Sequence, residues 1–122
     1  MKTAFITIGT LLFLWGLASL IFAVQDAAGG VSARPRQEIA YAAAFLISGG
    51  VLAAAGMRTY AINRMLVLGV VFLHAAVYSG GALMESMYRD EAAGTAAAVS
   101  SALFAGAIVS LQRAHRLHAK AG

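Results

Sequence analysis

Two kinds of residue are scarce in this 122-residue chain, and each shortage excludes a class of protein. There is no cysteine, which excludes disulfides, thiolate metal sites, iron–sulfur clusters and cysteine nucleophiles. Only 11% of the residues are charged, whereas a soluble domain carries roughly 25%. So few charges cannot cover a globule in water, and 61% of the residues are hydrophobic. Lipid is therefore the expected solvent.

The charged residues divide the chain into four long uncharged runs. A helix needs about 20 apolar residues to cross roughly 30 Å of hydrocarbon. The runs have 23, 19, 20 and 21 residues and are Thr3–Gln25, Ile39–Met57, Met65–Met84 and Ala92–Gln112. We predict an all-α integral membrane four-helix bundle with up-down topology and short loops. One transmembrane domain should cover residues 1–122, with helices at about 3–25, 37–57, 63–85 and 92–113.

The two ends of this predicted bundle differ in charge. One end carries six basic residues and no acid: Lys2, Arg58, Arg64, Arg113, Arg116 and Lys120. The other end carries three arginines and all five acids: Arg34, Arg36, Arg89, Asp26, Glu38, Glu85, Asp90 and Glu91. Because short cytoplasmic loops carry an excess of Lys and Arg, we predict an inner-membrane protein with both termini in the cytoplasm. Topology explains the positive charge, so nucleic acid is not an expected partner.

Small residues recur at the spacing of close helix contacts. Helices in lipid associate where their backbones approach closely, and small side chains mark such interfaces. The spacings occur at Gly9 and Gly16, at Gly49 and Ala53, and at Ala98, Ala102 and Gly106. Packing within one chain and contact between subunits explain these patterns equally well.

His74 is the one ionisable residue near the middle of an uncharged run. Tyr78, Gly81 and Glu85 follow it at i+4, i+7 and i+11, which places all four on one stripe of the third helix. We predict a polar stripe that opens to water at Glu85. An ionisable group within a membrane usually faces protein or water and is a functional candidate by default.

Three residues of other helices are expected at the depth of His74. The midpoints of the four runs place Trp15, Ser48 and Ser101 near that level. We therefore expect a neutral His74 inside the bundle, hydrogen-bonded to a serine hydroxyl and flanked by the indole of Trp15. The same contact could instead serve only to set the helix register.

Metal and cofactor sites are weakly supported. His115 and His118 are three residues apart and could chelate a divalent metal on a helix, but two histidines fall short of a zinc site. A basic segment lying on anionic lipid explains them better. No second histidine pairs with His74 as a haem ligand would require. We predict no metal and no cofactor.

Three functions remain, and no motif assigns a family. The first is a non-catalytic accessory or structural subunit of a membrane assembly, with the lipid bilayer and a membrane-protein partner or a second copy as partners. The second is a small-molecule or lipid carrier or sensor with a midplane site around His74. The third, an integral membrane enzyme, lacks a nucleophile paired with a base.

Overall fold

A computed structural model describes residues 2–58 and 63–121 and contains four α-helices. They are α1 (Lys2–Ala28), α2 (Pro35–Met57), α3 (Arg64–Tyr88) and α4 (Gly94–Ala121), and no strand occurs in the described residues. All four are long and apolar enough to cross a membrane. The predicted fold class is confirmed, and the chain is a small polytopic membrane protein.

Local chemistry accounts for the helix ends. α1 is followed by Gly29 and by Gly30, which adopts a φ of +69° that favours glycine. Pro35 opens α2, because its fixed φ suits a helix start and its missing N–H would have no partner there. Asn63 caps α3 by accepting a hydrogen bond from the N–H of Leu66 at 2.9 Å. The predicted turn between α2 and α3 falls largely on residues 59–62, which lie outside the described residues.

The fourth helix is longer than the hydropathy pattern indicates. It was expected to end near residue 113 but continues to Ala121. The extension carries Arg116 and Lys120, and cations near a helix C-terminus interact favourably with the helix dipole. Hydropathy therefore located the membrane crossing and not the end of the helix.

The helices pack in chain order, and each is antiparallel to the next. α1 packs on α2, α2 on α3 and α3 on α4. Among the described residues, no Cα atoms of α1 and α3, of α1 and α4, or of α2 and α4 come within 8 Å of each other. The arrangement is thus an open row, in which the backbone of α1 packs closely on α2 alone and that of α4 on α3 alone.

The interface between α1 and α2 is made by small residues. The buried residues of α1 are Gly9, Gly16 and Ala23, one heptad apart. A Cβ atom on Gly16 would lie 2.6 Å from the backbone nitrogen of Leu46, so the backbones are in direct contact. Gly49 faces Gly9 in the same way. These spacings therefore serve packing within the chain, whereas Ala98 and Ala102 of α4 are exposed.

Candidate ligand-binding site

His74 lies half-buried in α3, where it contacts α2. Its Nδ1 is 3.0 Å from Ser48 Oγ. The ring of Phe45 meets the imidazole edge to face, with centroids 4.7 Å apart and planes at 82°. Of the serines expected at this depth, the structure thus places Ser48 beside His74.

The hydroxyl of Ser48 determines which nitrogen of His74 carries the proton. Ser48 Oγ donates its hydrogen to the carbonyl oxygen of Ala44 at 2.6 Å, because a carbonyl oxygen can only accept. Towards His74 the hydroxyl oxygen therefore accepts, and Nδ1–H donates. In the neutral ring the lone pair is then on Nε2, which makes no hydrogen bond within the described residues.

Aromatic contacts continue from His74 towards the acid-bearing end of the row. Phe45 packs edge to face against Tyr41, with centroids 5.0 Å apart. Tyr41 in turn meets Tyr78 of α3 at 6.3 Å, with ring planes at 77°. Edge-to-face pairs at these distances are favourable, so they hold the rings at defined angles. His74 and the surface are therefore connected by adjoining rings.

The two tyrosine hydroxyls are held by donors from neighbouring positions. Trp15 Nε1 donates to the hydroxyl of Tyr41 at 3.4 Å. Gln37 Nε2 donates to the hydroxyl of Tyr78 at 2.9 Å. Each hydroxyl thus accepts one hydrogen bond and keeps its own hydrogen to donate to a ligand.

Beside these rings, α1, α2 and α3 form an open cavity of about 500 Å³. Ligand sites in proteins typically measure about 300–1,000 Å³. We call this cavity the aromatic groove and define it by Ser19, Phe22, Ala23, Asp26, Arg34, Gln37, Glu38, Tyr41 and Tyr78. His74 does not line it but reaches it through Phe45 and Tyr41.

Two residues predicted beside His74 lie elsewhere. Trp15 is 55% exposed, and its hydrogen bond is to Tyr41 and not to His74. Ser101 is exposed, and within the described residues it forms no hydrogen bond with His74. Ser100, one position earlier, is the buried serine of this part of α4. α4 packs on α3 with Ser100 beside Gly80 and Gly106 beside Phe72, so Ser101 lies closer to the acid-bearing end than His74 and is exposed.

Glu85 also differs from expectation, because it is buried and not the water-facing end of a stripe. Its side chain is 1% exposed. Glu85 Oε1 accepts from Arg89 Nε at 3.0 Å, and Oε2 accepts from the backbone N–H of Arg36 at 3.1 Å. Arg36 is the second residue of α2, where an N–H has no partner within the helix. Glu85 therefore caps α2 from α3.

The predicted stripe on α3 consequently divides in two. Gly81 is buried against Ala40 of α2, and Glu85 follows it into the same interface. Tyr78 turns instead to the aromatic groove, with 39% of its surface exposed. His74 is connected to Tyr78 and the groove through the rings of Phe45 and Tyr41, whereas Glu85 has a structural role in α2–α3 packing.

Of the groove residues only Tyr78 was predicted as a site residue, although two helix faces that carry four others show the same spacing in the sequence. Tyr41, Phe45 and Ser48 lie at i, i+4 and i+7 on α2, the spacing used to select residues on α3. On α1, Trp15 is followed by Ser19, Phe22 and Asp26 at i+4, i+7 and i+11. Applying one stripe test to all helices would have identified these faces.

The structure provides little for a metal. His115 is exposed and His118 is half-buried on α4. Among the described residues, no group of three or more histidines and acidic residues is placed to hold an ion.

Comparison with known proteins does not assign this chain to a class. Neither the protein-family models nor the curated proteins nor the solved structures give a match. Functional inference therefore depends on the geometry of the site.

Proposed function

We propose that this protein is a non-catalytic membrane protein that binds an amphiphilic small molecule in the aromatic groove, as a carrier or sensor. The observation that supports it is the cavity walled by Tyr41 and Tyr78, with charged residues at its mouth. Ligand pockets combine mostly apolar walls with a few polar groups that orient the ligand. The two tyrosine hydroxyls can supply that orientation.

The direction of the Ser48–His74 hydrogen bond argues against Ser48 as a catalytic nucleophile. A serine nucleophile is activated when its hydroxyl donates to a base. Here the Ser48 hydroxyl donates to the Ala44 carbonyl, and His74 donates to Ser48. In a nucleophile–base pair the serine hydroxyl would donate to the histidine, which is the reverse of this arrangement. The contact therefore fits a role in holding α2 and α3 in register.

The test is native mass spectrometry of protein extracted gently from its own membranes. We expect a bound small mass on the wild-type protein and its loss in Tyr41→Leu. Phe104→Leu is the matched control, because Phe104 on α4 is 39% exposed and Tyr41 is 38% exposed. A protein without any bound mass, or equal retention in both variants, would contradict the proposal.

A second function, an accessory subunit of a membrane assembly, is favoured by the open row of helices. α1 and α4 expose most of their large apolar side chains, and the backbone of each packs closely on one helix. Either lipid or a partner protein can cover such faces. A partner in stoichiometric amount in the same mass spectra would support the subunit, and a monomer carrying a small mass would contradict it.

The orientation with both termini in the cytoplasm is part of the proposal. It is supported by six basic residues at one end of the row and five acids with three arginines at the other. Because the chain lacks cysteine, single cysteines can report the side. In intact cells a membrane-impermeant maleimide should label Ala33→Cys and not Ala119→Cys. The opposite labelling pattern would reverse the orientation.

A further inference from the structure

We infer that the ligand of the aromatic groove is an organic cation that carries an apolar or aromatic group. This inference rests on the proposed function, since it specifies the ligand class of the same groove. Three features of the groove support it: two carboxylates without an ion-pair partner in the described residues, exposed aromatic rings, and the unfavourable position of Asp26 at the end of its helix.

The charge at the groove is negative. Asp26 and Glu38 both line it, and neither carboxylate forms an ion pair within the described residues. The lining cation, Arg34, is 3.6 Å from Glu91 and is thus paired. An anion entering here would meet two carboxylates, whereas a cation would be attracted by both.

The helix dipole favours the position of one of these two acids and disfavours the position of the other. Glu38 lies in the first turn of α2, where the helix dipole favours a negative charge. Asp26 lies in the last turn of α1, where the dipole disfavours it. Asp26 therefore occupies a position that local helix energetics penalise, which fits a role towards a ligand.

Aromatic rings supply the second feature. Phe22 is 65% exposed, and Tyr41 and Tyr78 also present ring surface to the groove. The faces of such rings attract ammonium groups, and quaternary ammonium ligands are commonly recognised in this way. The cationic group of such a ligand can interact with Asp26 and Glu38, and its apolar part can pack against Phe22.

A metal ion fits these residues less well. Two carboxylates are too few for calcium, which takes six to eight oxygen ligands. Aromatic walls would add no ligand atoms. Binding of an organic cation can therefore be distinguished from binding of a metal ion by testing benzyltrimethylammonium and calcium separately.

The test uses Trp15 as a built-in reporter. It is the only tryptophan of the chain, and its indole N–H donates to Tyr41 at the groove. Full-length protein in phosphatidylcholine nanodiscs is titrated with benzyltrimethylammonium, with benzylsulfonate and with calcium. We expect a saturable change in Trp15 fluorescence with benzyltrimethylammonium only. Equal responses to the two benzyl probes, or a response to calcium alone, would overturn the inference.

Charge-neutral variants locate the site. Asp26→Asn and Glu38→Gln should each weaken benzyltrimethylammonium binding about fivefold, as expected for unit charges about 4 Å apart in water. Asp90→Asn is the control, because it removes an acid at the same end that does not line the groove. Unchanged affinity in Asp26→Asn and Glu38→Gln would also overturn the inference. The comparison of probes on the wild-type protein decides the question if a variant does not fold.

Failure of this inference can be distinguished from failure of the proposed function. If benzylsulfonate binds and Tyr41→Leu abolishes its binding, the groove is a ligand site but not one for cations. If no probe binds and the native protein carries no small mass, both proposals are wrong.

Discussion

Replacing Gly49 by alanine tests the α1–α2 interface most directly. A Cβ atom there would lie 2.6 Å from the carbonyl oxygen of Gly9 and 2.9 Å from Cα of Phe13, both in the backbone of α1. Ordinary contact begins near 3.4 Å, so the helices must separate by more than 3.4 − 2.6 = 0.8 Å, because the backbone nitrogen of Phe13 would be closer still. Overpacking of this kind costs about 1–3 kcal/mol. Gly50→Ala is the matched control, because its Cβ would lie 3.8 Å from the nearest atom, a flexible ring carbon of Phe13.

The two variants share the same gain in helix propensity, about 0.5–1 kcal/mol for Gly→Ala within a helix. Their difference therefore isolates the steric cost, and Gly49→Ala should be about 1–3 kcal/mol less stable than Gly50→Ala. The free energy of unfolding can be measured in dodecyl maltoside micelles titrated with sodium dodecyl sulfate, with helicity followed by circular dichroism. Equal stability of the two variants would refute the close backbone contact.

Two further contacts give predictions of their own. Glu85→Ala should lower Tm clearly more than Glu91→Ala. Glu85 is buried against two arginines and the N-terminus of α2, whereas the ion pair of Glu91 is exposed. Equal decreases in Tm would contradict the assignment of Glu85 as a cap of α2. Ser48→Ala should cost about 0.6–1.7 kcal/mol. In the wild type, ¹⁵N NMR should show His74 protonated at Nδ1 and not at Nε2, and the opposite tautomer would invalidate the assigned hydrogen-bond direction.

Much of the fold was predictable because lipid imposes strict rules on sequence. A span must be long and uncharged, so the charged residues delimit the four helices. The alternation of spans also assigns each charge to one end of the row. The extra length of α4 was missed because a helix can continue into water, where hydropathy no longer marks it.

The candidate site was only partly predictable. His74 stands out in the sequence because ionisable residues are rare in membrane spans. The expected depth in the membrane reduced the candidate neighbours of His74 to Trp15, Ser48 and Ser101. Choosing between Ser48 and Ser101 required knowing the rotation of α2 and α4, because Ser48 faces His74 whereas Ser101 is exposed.

Sequence alone thus determined the number of spans, the limits of the first three helices to within a few residues, and the separation of charge between the two ends. Those properties depend on composition along the chain, because each segment must by itself be long and apolar enough to cross the bilayer. Tertiary structure alone decided the rotation of each helix and the choice of neighbours. Adjacent residues differ by 100° around a helix axis, so a small rotation moves Glu85 from water into the α2 interface. Backbone contact at glycines fixes that rotation, and only the packed helices reveal it.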